Sequence, residues 1–388
     1  WKGNDRLLFT KDFGGDENFH LFAVDREGNS MKDLTPFDSV RVEIIDNLED
    51  SETDVLIQMN KRDREVFDAY RLNTVTGELT MAAQNPGNIS GWVTGHDGKI
   101  RIATTTVGVD TSILYREAEK DTFRTIMTTT FKESFGPLFF TFDNKNIYAA
   151  SNLGRDKAVI VEYDIANNKE VKVLFEHPDV DVSGMNYSRL RKVLTEISYV
   201  TWKTERKFLD KQTEEIYASL QKKLPGYEVS IVSNNKNEDV FTVSTSSDRS
   251  RGAFYIYEKK SGKLTKLADR SPWLNEKDLA EMKPIKYISR DGLTINGYLT
   301  LPKGKAPKNL PVVVNPHGGP WARDQWRFNS EVQFLANRGY AVLQMNFRGS
   351  TGYGKKFWEI SFKQWGKTMQ DDISDGVKWL VDKGIADP

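Results

Sequence analysis

The first 280 residues alternate apolar and polar positions in short runs that charged or glycine-containing turns separate, a pattern that predicts short β-strands. Five segments share the order of charged turn, strand, turn and strand. They open at Asp16, Asp63, Asp110, Asp156 and Asp248, in steps of 47, 47, 46 and 92 residues. Because the last step is two periods of about 46, the recurrence favours a propeller of four-stranded blades, whose best-known repeat has about 40–45 residues. Hairpins that coincide in a β-sandwich are the alternative interpretation.

One further opening is expected near Trp202, where no acidic turn occurs. The segment Gln212 to Leu224 follows it, and its apolar positions Ile216 and Leu220 recur at helical spacing. We therefore predict a short helix inserted into this blade. With six repeats accounted for and Trp1 partway through one, the sequence predicts about seven blades, the first incomplete or missing.

After residue 280 the pattern changes to longer apolar runs separated by helical periodicity. An Arg290-Asp291-Gly292 turn predicts a hairpin on an antiparallel edge. Two buried strands, each followed by an amphipathic helix, then predict the start of a doubly wound parallel sheet. The predicted elements are strands 284–289, 293–301, 311–314 and 340–347, with helices over 329–338 and up to Gly384, the second with Asp371 and Asp372 in its first turn. The predicted domains are residues 1–280 and 281–388.

Both predicted parallel strands end in glycine-rich loops at their carboxyl ends, where open α/β sheets bind ligands. The first loop is His317-Gly318-Gly319-Pro320, and the second runs from Arg348 to Gly354. Glycine lets main-chain N–H groups approach a substrate oxygen, so the first loop predicts oxyanion-hole chemistry. A plain strand-to-helix turn is the alternative for those four residues.

Composition and charge narrow the classes of function. The chain carries 55 basic and 55 acidic residues, without blocks of like charge, which gives no support to a nucleic acid or a membrane surface as partner. No run approaches the roughly 18 apolar residues of a membrane span. The chain has no cysteine, which excludes disulfides, thiol nucleophiles and cysteine-bound zinc. Trp1 follows no leader pattern, so we expect the true start of the gene product to lie further upstream, and cytoplasmic and periplasmic locations both stay open.

The serines and histidines supply no catalytic triad. Ser90 and Ser350 have flanking glycines at offsets that differ from a Gly-x-Ser-x-Gly elbow, and we interpret both as turn residues. The four histidines are assigned structural or solvated positions. His20 falls in a strand, His96 in a turn, His177 before a proline and His317 in the oxyanion loop. No pair has zinc-ligand spacing, and no cofactor or metal is predicted.

Four motifs follow the repeats in a fixed order: KPIKYISRDGLTINGYLTLP, VVVNPHGGP, NFRGSTGYGKKF and DDISDGVKWLVDKG. This arrangement resembles the prolyl oligopeptidase family of serine peptidases, in its acylaminoacyl-peptidase-like branch. The resemblance implies an α/β-hydrolase domain capped by a propeller that admits short peptides. It also implies that Gly319 supplies an oxyanion N–H, that His317 and Gly318 shape the loop, and that Arg348 and Gly349 begin a turn beside the nucleophile loop.

Two functions remain open at this stage. The first is a piece of a serine peptidase, acting on peptide substrates, whose triad lies in a C-terminal hydrolase segment outside the chain. The second is a non-catalytic propeller protein that binds a partner and keeps a degenerate hydrolase remnant. An apolar edge at Val312–Val314 would be a liability in a soluble protein, which favours the first. The sequence decides neither the peptide specificity nor whether the protein forms a homo-oligomer.

Overall fold

The computed structural model describes all 388 residues, Trp1–Pro388. Its contacts group the chain into two compact units. The first comprises Trp1–Ser151 and Val161–Val173, and the second comprises Asn152–Ile160 and Leu174–Pro388. The second unit therefore contains antiparallel sheets as well as the α/β segment. These two units divide the chain at other residues, so the domain boundary at residue 280 remains a prediction.

Six antiparallel sheets follow one another along the chain, and within each sheet the strands pair in chain order. Four of these sheets have four strands, and two have three. The strands, in sheet order, are β1 Arg6–Lys11, β2 His20–Asp25 and β3 Lys32–Asp33; β4 Val42–Asp46, β5 Asp54–Asp63, β6 Val66–Asn73 and β7 Leu79–Ala83; β8 Ile89–Thr94, β9 Ile100–Val107, β10 Asp110–Tyr115 and β11 Arg124–Thr129; β12 Phe135–Phe140, β13 Asn146–Ser151, β14 Val159–Asp164 and β15 Lys169–Phe175; β16 Val182–Ser188, β17 Val193–Val200 and β18 Thr204–Phe208; β19 Glu228–Asn234, β20 Val240–Ser246, β21 Ala253–Glu258 and β22 Lys263–Asp269.

Four of the five repeat turns lie at equivalent places in these sheets. Asp63, Asp110, Asp156 and Asp248 each lie at the turn between the second and third strands of a four-stranded sheet. Asp16 lies between β1 and β2, the first and second strands of the three-stranded first sheet. The opening expected near Trp202 is the turn between β17 and β18. The 46-residue period therefore describes real blade-like units.

The helix predicted in the fifth repeat is also present. Helix α1, Lys211–Lys223, begins at Asp210, whose side chain accepts a hydrogen bond from the Thr213 backbone N–H and caps the first turn. Ile216 and Leu220 on one face pack with Val229 and Val243 of the sixth sheet. The apolar residues at the predicted helical spacing form the face that this helix buries.

The elements of the α/β segment are β23 Met282–Ile288, β24 Thr294–Thr300, β25 Val312–Val314, α2 Ser330–Asn337, β26 Ala341–Asn346, α3 Lys355–Glu359 and α4 Thr368–Asp382, with a 3₁₀ turn at Glu276–Asp278 before them. The four strands form one sheet in the order β23-β24-β26-β25. The hairpin β23–β24 is antiparallel, β24 pairs antiparallel with β26, and β26 pairs parallel with β25. This places the hairpin on the antiparallel edge, as predicted.

One face of this sheet carries the main apolar core of the segment. Ile295, Leu343 and Met345 are fully buried there and pack with Leu380 of α4. The opposite face carries polar residues, among them Gln344 and Asn346, which are also buried. No helix of the protein is long and apolar enough to cross a membrane.

Three local predictions need correction. Val312–Val314, predicted as a buried strand, is only half-buried, because β25 lies at the edge of its sheet. Helix α4 begins at Thr368, so only Asp371 is in its first turn. Asp372, the next residue, begins the second turn and is fully buried, where Arg348 pairs with it. Ser90 lies inside β8 and not in a turn.

Candidate active site

The two glycine-rich loops lie next to each other because the strands that precede them are parallel neighbours. Val314 of β25 pairs with Leu343 of β26, and the Asn315 N–H donates to the Leu343 carbonyl at 2.9 Å. Parallel strands bring their carboxyl ends to the same edge of a sheet. The segment Asn315–Pro320, named here the oxyanion loop, therefore meets the segment Arg348–Gly354, named here the anchor turn.

His317 joins the oxyanion loop to the anchor turn. Its Nε2 lies 2.8 Å from the Ser350 hydroxyl, and its Nδ1 lies 2.9 Å from the carbonyl oxygen of Gly318. The imidazole stacks on Phe347 with ring centroids 4.6 Å apart and an interplanar angle of 15°. Two hydrogen-bonding groups and one ring face hold this half-buried side chain in place.

Gly319 is exposed, and its backbone N–H donates to no group of the protein. Its φ of +128° lies in a region that side-chain-bearing residues rarely adopt. A Cβ at this position would lie 2.6 Å from the Trp321 backbone nitrogen. Gly318 is also exposed, but a Cβ at this position would meet nothing within 4 Å. The loop thus offers a free N–H to solvent, in a conformation that requires glycine at one of its two positions.

A group of buried polar side chains holds the chain just after the oxyanion loop. Asn346, at the end of β26, accepts from the Asp324 N–H at 2.7 Å and donates to the Asp324 carbonyl at 3.2 Å. Gln344 donates to the Asp324 carboxylate at 2.8 Å. Burial raises the pKa of Asp324, and the nearby His317 opposes that shift. These contacts fix the position of residue 324 against the sheet.

Arg323 and Tyr353 continue this group towards the fifth antiparallel sheet. The Arg323 guanidinium lies over the Tyr353 ring at 4.5 Å and donates to the Tyr353 hydroxyl at 3.1 Å. It also donates to the Thr201 carbonyl at 2.9 Å, in the turn between β17 and β18. Burial raises the pKa of Tyr353. Both loops are therefore tied to a turn of the sheet in the same compact unit.

Arg348 begins the anchor turn with a buried ion pair. It makes a two-pronged contact with Asp372 of α4 at 2.8 and 2.7 Å, and a further contact with Asp291 at 2.7 Å. The hydrogen bond to Asp372 is the main reason that the pKa of Arg348 is raised. Two planar hydrogen bonds give such a pair directional as well as electrostatic strength. The turn is thereby fixed to helix α4.

The end of the anchor turn and the start of α3 contact the turn between β13 and β14 and the residue before β16. Asp156 accepts from the Lys356 N–H of α3 at 2.7 Å, and Lys157 donates to the Tyr353 carbonyl at 2.6 Å. Asp181 accepts from the Gly354 N–H at 3.1 Å. The sequence predicted Asp156 only as the opening of a repeat, and its contact with α3 depends on the tertiary structure.

Tyr353 also lines a cavity of about 630 Å³. Its walls come from the β23–β24 hairpin, the Thr201–Trp202 turn and the anchor turn, all of which belong to the second compact unit. The lining combines aromatic rings such as Trp202 and Phe357 with the charged side chains of Asp179 and Lys286. A cavity of this size and mixed character is suited to a peptide-sized or smaller molecule.

The chain turns back towards β25 after helix α4. The Leu310 N–H donates to the Ile385 carbonyl at 2.7 Å, and the Asp387 N–H donates to the Leu310 carbonyl at 2.9 Å. Leu310 and Ala386 form a parallel bridge. Residues 385–387 therefore run parallel to the segment that leads into β25.

The sequence placed His317, Gly318 and Gly319 in one loop, and the structure shows how that loop is held. The assignment of Gly319 as an oxyanion donor stays a prediction. Sequence reasoning missed the contact between His317 and Ser350, because 33 residues separate them and each was interpreted alone. The only available signal was that both follow adjacent predicted parallel strands.

Comparison with known proteins identifies relatives along the whole chain. A model of the prolyl oligopeptidase family matches residues 326–388. The chain is 33% identical to dipeptidyl aminopeptidase BIII of Pseudoxanthomonas mexicana, over 98% of this chain and 56% of that protein. It is 28% identical to dipeptidyl peptidase family member 6 of Caenorhabditis elegans, with the same two shares. The chain thus spans little more than half the length of these curated relatives.

Solved structures are similar over the same extent. A puromycin-hydrolyzing peptidase of Mycobacterium tuberculosis matches with a TM-score of 0.74 at 16% identity, covering 100% of this chain and 64% of that one. At this identity the likeness concerns the fold alone. It confirms the predicted fold class, an all-β propeller followed by the start of an α/β-hydrolase sheet.

Proposed function

Because this chain belongs to the prolyl oligopeptidase family of serine peptidases, we propose that it forms the propeller and the first part of the catalytic domain of a peptidase that acts on short peptides. The preferred reaction is the release of dipeptides from peptide amino termini. Both relatives that match 98% of the chain are named as dipeptidyl peptidases, which favours this specificity over the removal of N-acylated residues.

The free Gly319 N–H carries this proposal. In acyl transfer, a serine hydroxyl attacks the scissile carbonyl carbon while a histidine takes the hydroxyl proton. The carbonyl oxygen becomes an oxyanion, and backbone N–H groups stabilise it more strongly than the original carbonyl. The histidine then gives its proton to the leaving amine, and water releases the acyl group by the same steps. In this scheme Gly319 is one donor to the oxyanion.

The nucleophile, its histidine and its aspartate are proposed to lie in a segment outside this chain. Ser350 is fully buried and already hydrogen-bonded, and Ser90 lies in a strand of the third sheet, so neither is placed to attack a substrate. Residues 385–387 run parallel to the start of β25. A strand that continues from them would end beside the oxyanion loop, where a nucleophile would need to be.

The test compares two proteins: the natural polypeptide that contains this chain, and residues 1–388 alone. Each is incubated with a fluorophosphonate probe, a dipeptidyl p-nitroanilide with a free amino terminus, and the same substrate with an acetylated amino terminus. We expect the longer polypeptide to be labelled and to hydrolyse the free dipeptidyl substrate, whereas the acetylated substrate reacts far more slowly.

The shorter chain is expected to be unlabelled and inactive, because oxyanion donors without a triad leave only about 10³–10⁴-fold acceleration over water. Absence of labelling in the longer polypeptide would contradict the proposal and favour a non-catalytic propeller. Covalent labelling of residues 1–388 at Ser350 would contradict the placement of the nucleophile. A preference for the acetylated substrate would reverse the proposed specificity.

A further inference from the structure

Ser350 is a serine of the anchor turn that the proposed chemistry does not use. Its side chain has no exposed surface. Its Oγ lies 2.7 Å from the Phe347 carbonyl and 2.8 Å from His317 Nε2. The hydroxyl has one proton, so it can donate to only one of these two acceptors at a time.

The contacts around His317 decide which arrangement satisfies every group. The Gly318 carbonyl can only accept, so Nδ1, at 2.9 Å, must carry a proton to make that hydrogen bond. A neutral imidazole has one N–H, and Nε2 is then an acceptor. The Ser350 hydroxyl donates to it, while the Phe347 carbonyl still accepts from the Ser350 N–H at 3.0 Å. In the neutral imidazole, Ser350 therefore selects the tautomer of His317 that holds Gly318.

The Gly318 carbonyl and the Gly319 N–H belong to the same peptide group. The Gly318–Gly319 peptide is trans. In a planar trans peptide the C=O and N–H point in opposite directions. A hydrogen bond that fixes the Gly318 carbonyl towards His317 therefore directs the Gly319 N–H away from the imidazole, towards solvent.

We propose that Ser350 is a positioning residue for the oxyanion loop, acting through His317 and the Gly318 carbonyl to orient the Gly319 N–H. The inference deepens the proposed peptidase function and rests on it for its effect on rate. Ser350 touches no substrate in this arrangement, and Phe347 completes it by stacking on the imidazole.

The kinetic test uses Ser350→Ala in the natural polypeptide, with the dipeptidyl p-nitroanilide as substrate. Losing one oxyanion donor lowers kcat by about 10²–10³-fold, and a donor that is only misoriented should lose part of that, about 10-fold. KM should change by less than about twofold, because the interaction strengthens in the transition state. Ser350→Cys keeps a weak donor of similar shape and should give an intermediate kcat.

Ser247→Ala is the matched control. Ser247 is also buried, but its hydroxyl accepts only from the Arg249 N–H of its own turn, at 3.2 Å. We expect its kcat to stay at the wild-type value. Thermal unfolding of all variants shows whether any loss of rate follows a loss of folded protein.

The second readout does not need activity. The chain has four histidines, so ¹⁵N-imidazole spectra of residues 1–388 are simple, and His317→Gln identifies the His317 signals. The spectra are recorded at about pH 9, above the ordinary histidine pKa of about 6.5. The ¹⁵N shifts distinguish the two tautomers. We expect the Nδ1–H form in wild type and in Ser247→Ala, and a shift towards the Nε2–H form in Ser350→Ala.

An unchanged tautomer in Ser350→Ala overturns the inference, whatever the rate. A changed tautomer with an unchanged kcat in an active enzyme also overturns it. A wild-type polypeptide without hydrolysis or labelling would instead contradict the proposed function. In that case the tautomer alone decides whether Ser350 orients the loop through His317.

Discussion

The oxyanion loop and the anchor turn resemble each other in sequence but differ in their surroundings. Both are rich in glycine and both follow a strand of the same parallel pair. In the first, Gly318 and Gly319 are exposed, and the Gly319 N–H has no partner in the protein. In the second, Arg348 and Ser350 are buried, and their polar groups are hydrogen-bonded.

This difference shows how a free donor is held in place. A backbone N–H that is to meet a substrate must stay unpaired, so its own hydrogen bonds cannot fix it. The neighbouring turn supplies that rigidity through a buried ion pair to α4, contacts to the antiparallel sheets and the Ser350–His317 contact. Substitutions at Arg348 of the anchor turn and at Gly319 of the oxyanion loop should therefore differ in what they damage: stability at Arg348 and turnover at Gly319.

The largest expected effect is on stability, from Arg348→Met. The substitution leaves Asp372 buried without its cation, and breaking a buried pair in this way costs about 3–5 kcal/mol. Urea unfolding measures the free energy. Lys378→Met is the control, because Lys378 pairs with Asp382 on the exposed surface of α4 and such pairs contribute about 0–1 kcal/mol. Equal losses in both variants would contradict the role of the anchor turn.

The next effect is on turnover, from Gly319→Val in the natural polypeptide. The positive φ and the close Trp321 nitrogen exclude a side chain, so the N–H must move. We expect kcat to fall by about 10²–10³-fold, with KM changed far less. Gly318→Ala should lower kcat much less, since its Cβ would meet nothing within 4 Å. Unchanged turnover in Gly319→Val would remove this residue from the mechanism.

A smaller effect concerns acid stability around α4. The hydrogen bond from Arg290 lowers the pKa of Asp375, and that from Arg348 lowers the pKa of Asp291. A carboxyl with a lowered pKa stabilises the fold above its unfolded pKa of about 3.9, and this contribution is lost as the pH falls through the folded pKa.

We therefore expect the wild-type free energy of unfolding to decline below about pH 4, and Asp375→Asn to decline less steeply from a lower starting value. Urea unfolding between pH 7 and pH 3 measures both curves. Parallel curves would show that Asp375 does not contribute to the acid response.

The smallest effect is expected from Ser90→Ala, the other serine with flanking glycines. Its hydroxyl donates to the Thr104 carbonyl at 3.3 Å on the exposed surface of β8. The free energy of unfolding should change by less than about 0.5 kcal/mol, and kcat should equal that of the wild type. A large loss of activity in Ser90→Ala would show that a serine with flanking glycines can affect turnover without a contact to His317.

The sequence by itself determined the local elements and their order. Its 46-residue period located the turns at Asp63, Asp110, Asp156 and Asp248, because a repeated unit needs the same turn in the same place. Helical and strand periodicity also located α1, α2, β24 and β26 to within a few residues, since burial of one face depends on nearby positions. The family motifs identified the loop at Gly319.

Only the tertiary structure decided which distant residues meet. The pairing of Ser350 with His317, of Arg348 with Asp372 and of Arg323 with the Thr201 carbonyl spans 33, 24 and 122 residues. The edge position of β25 in its sheet likewise depends on strand order and not on its three valines. Periodicity reports which face a residue takes in its own element, whereas a hydrogen bond between elements depends on how strands and helices pack.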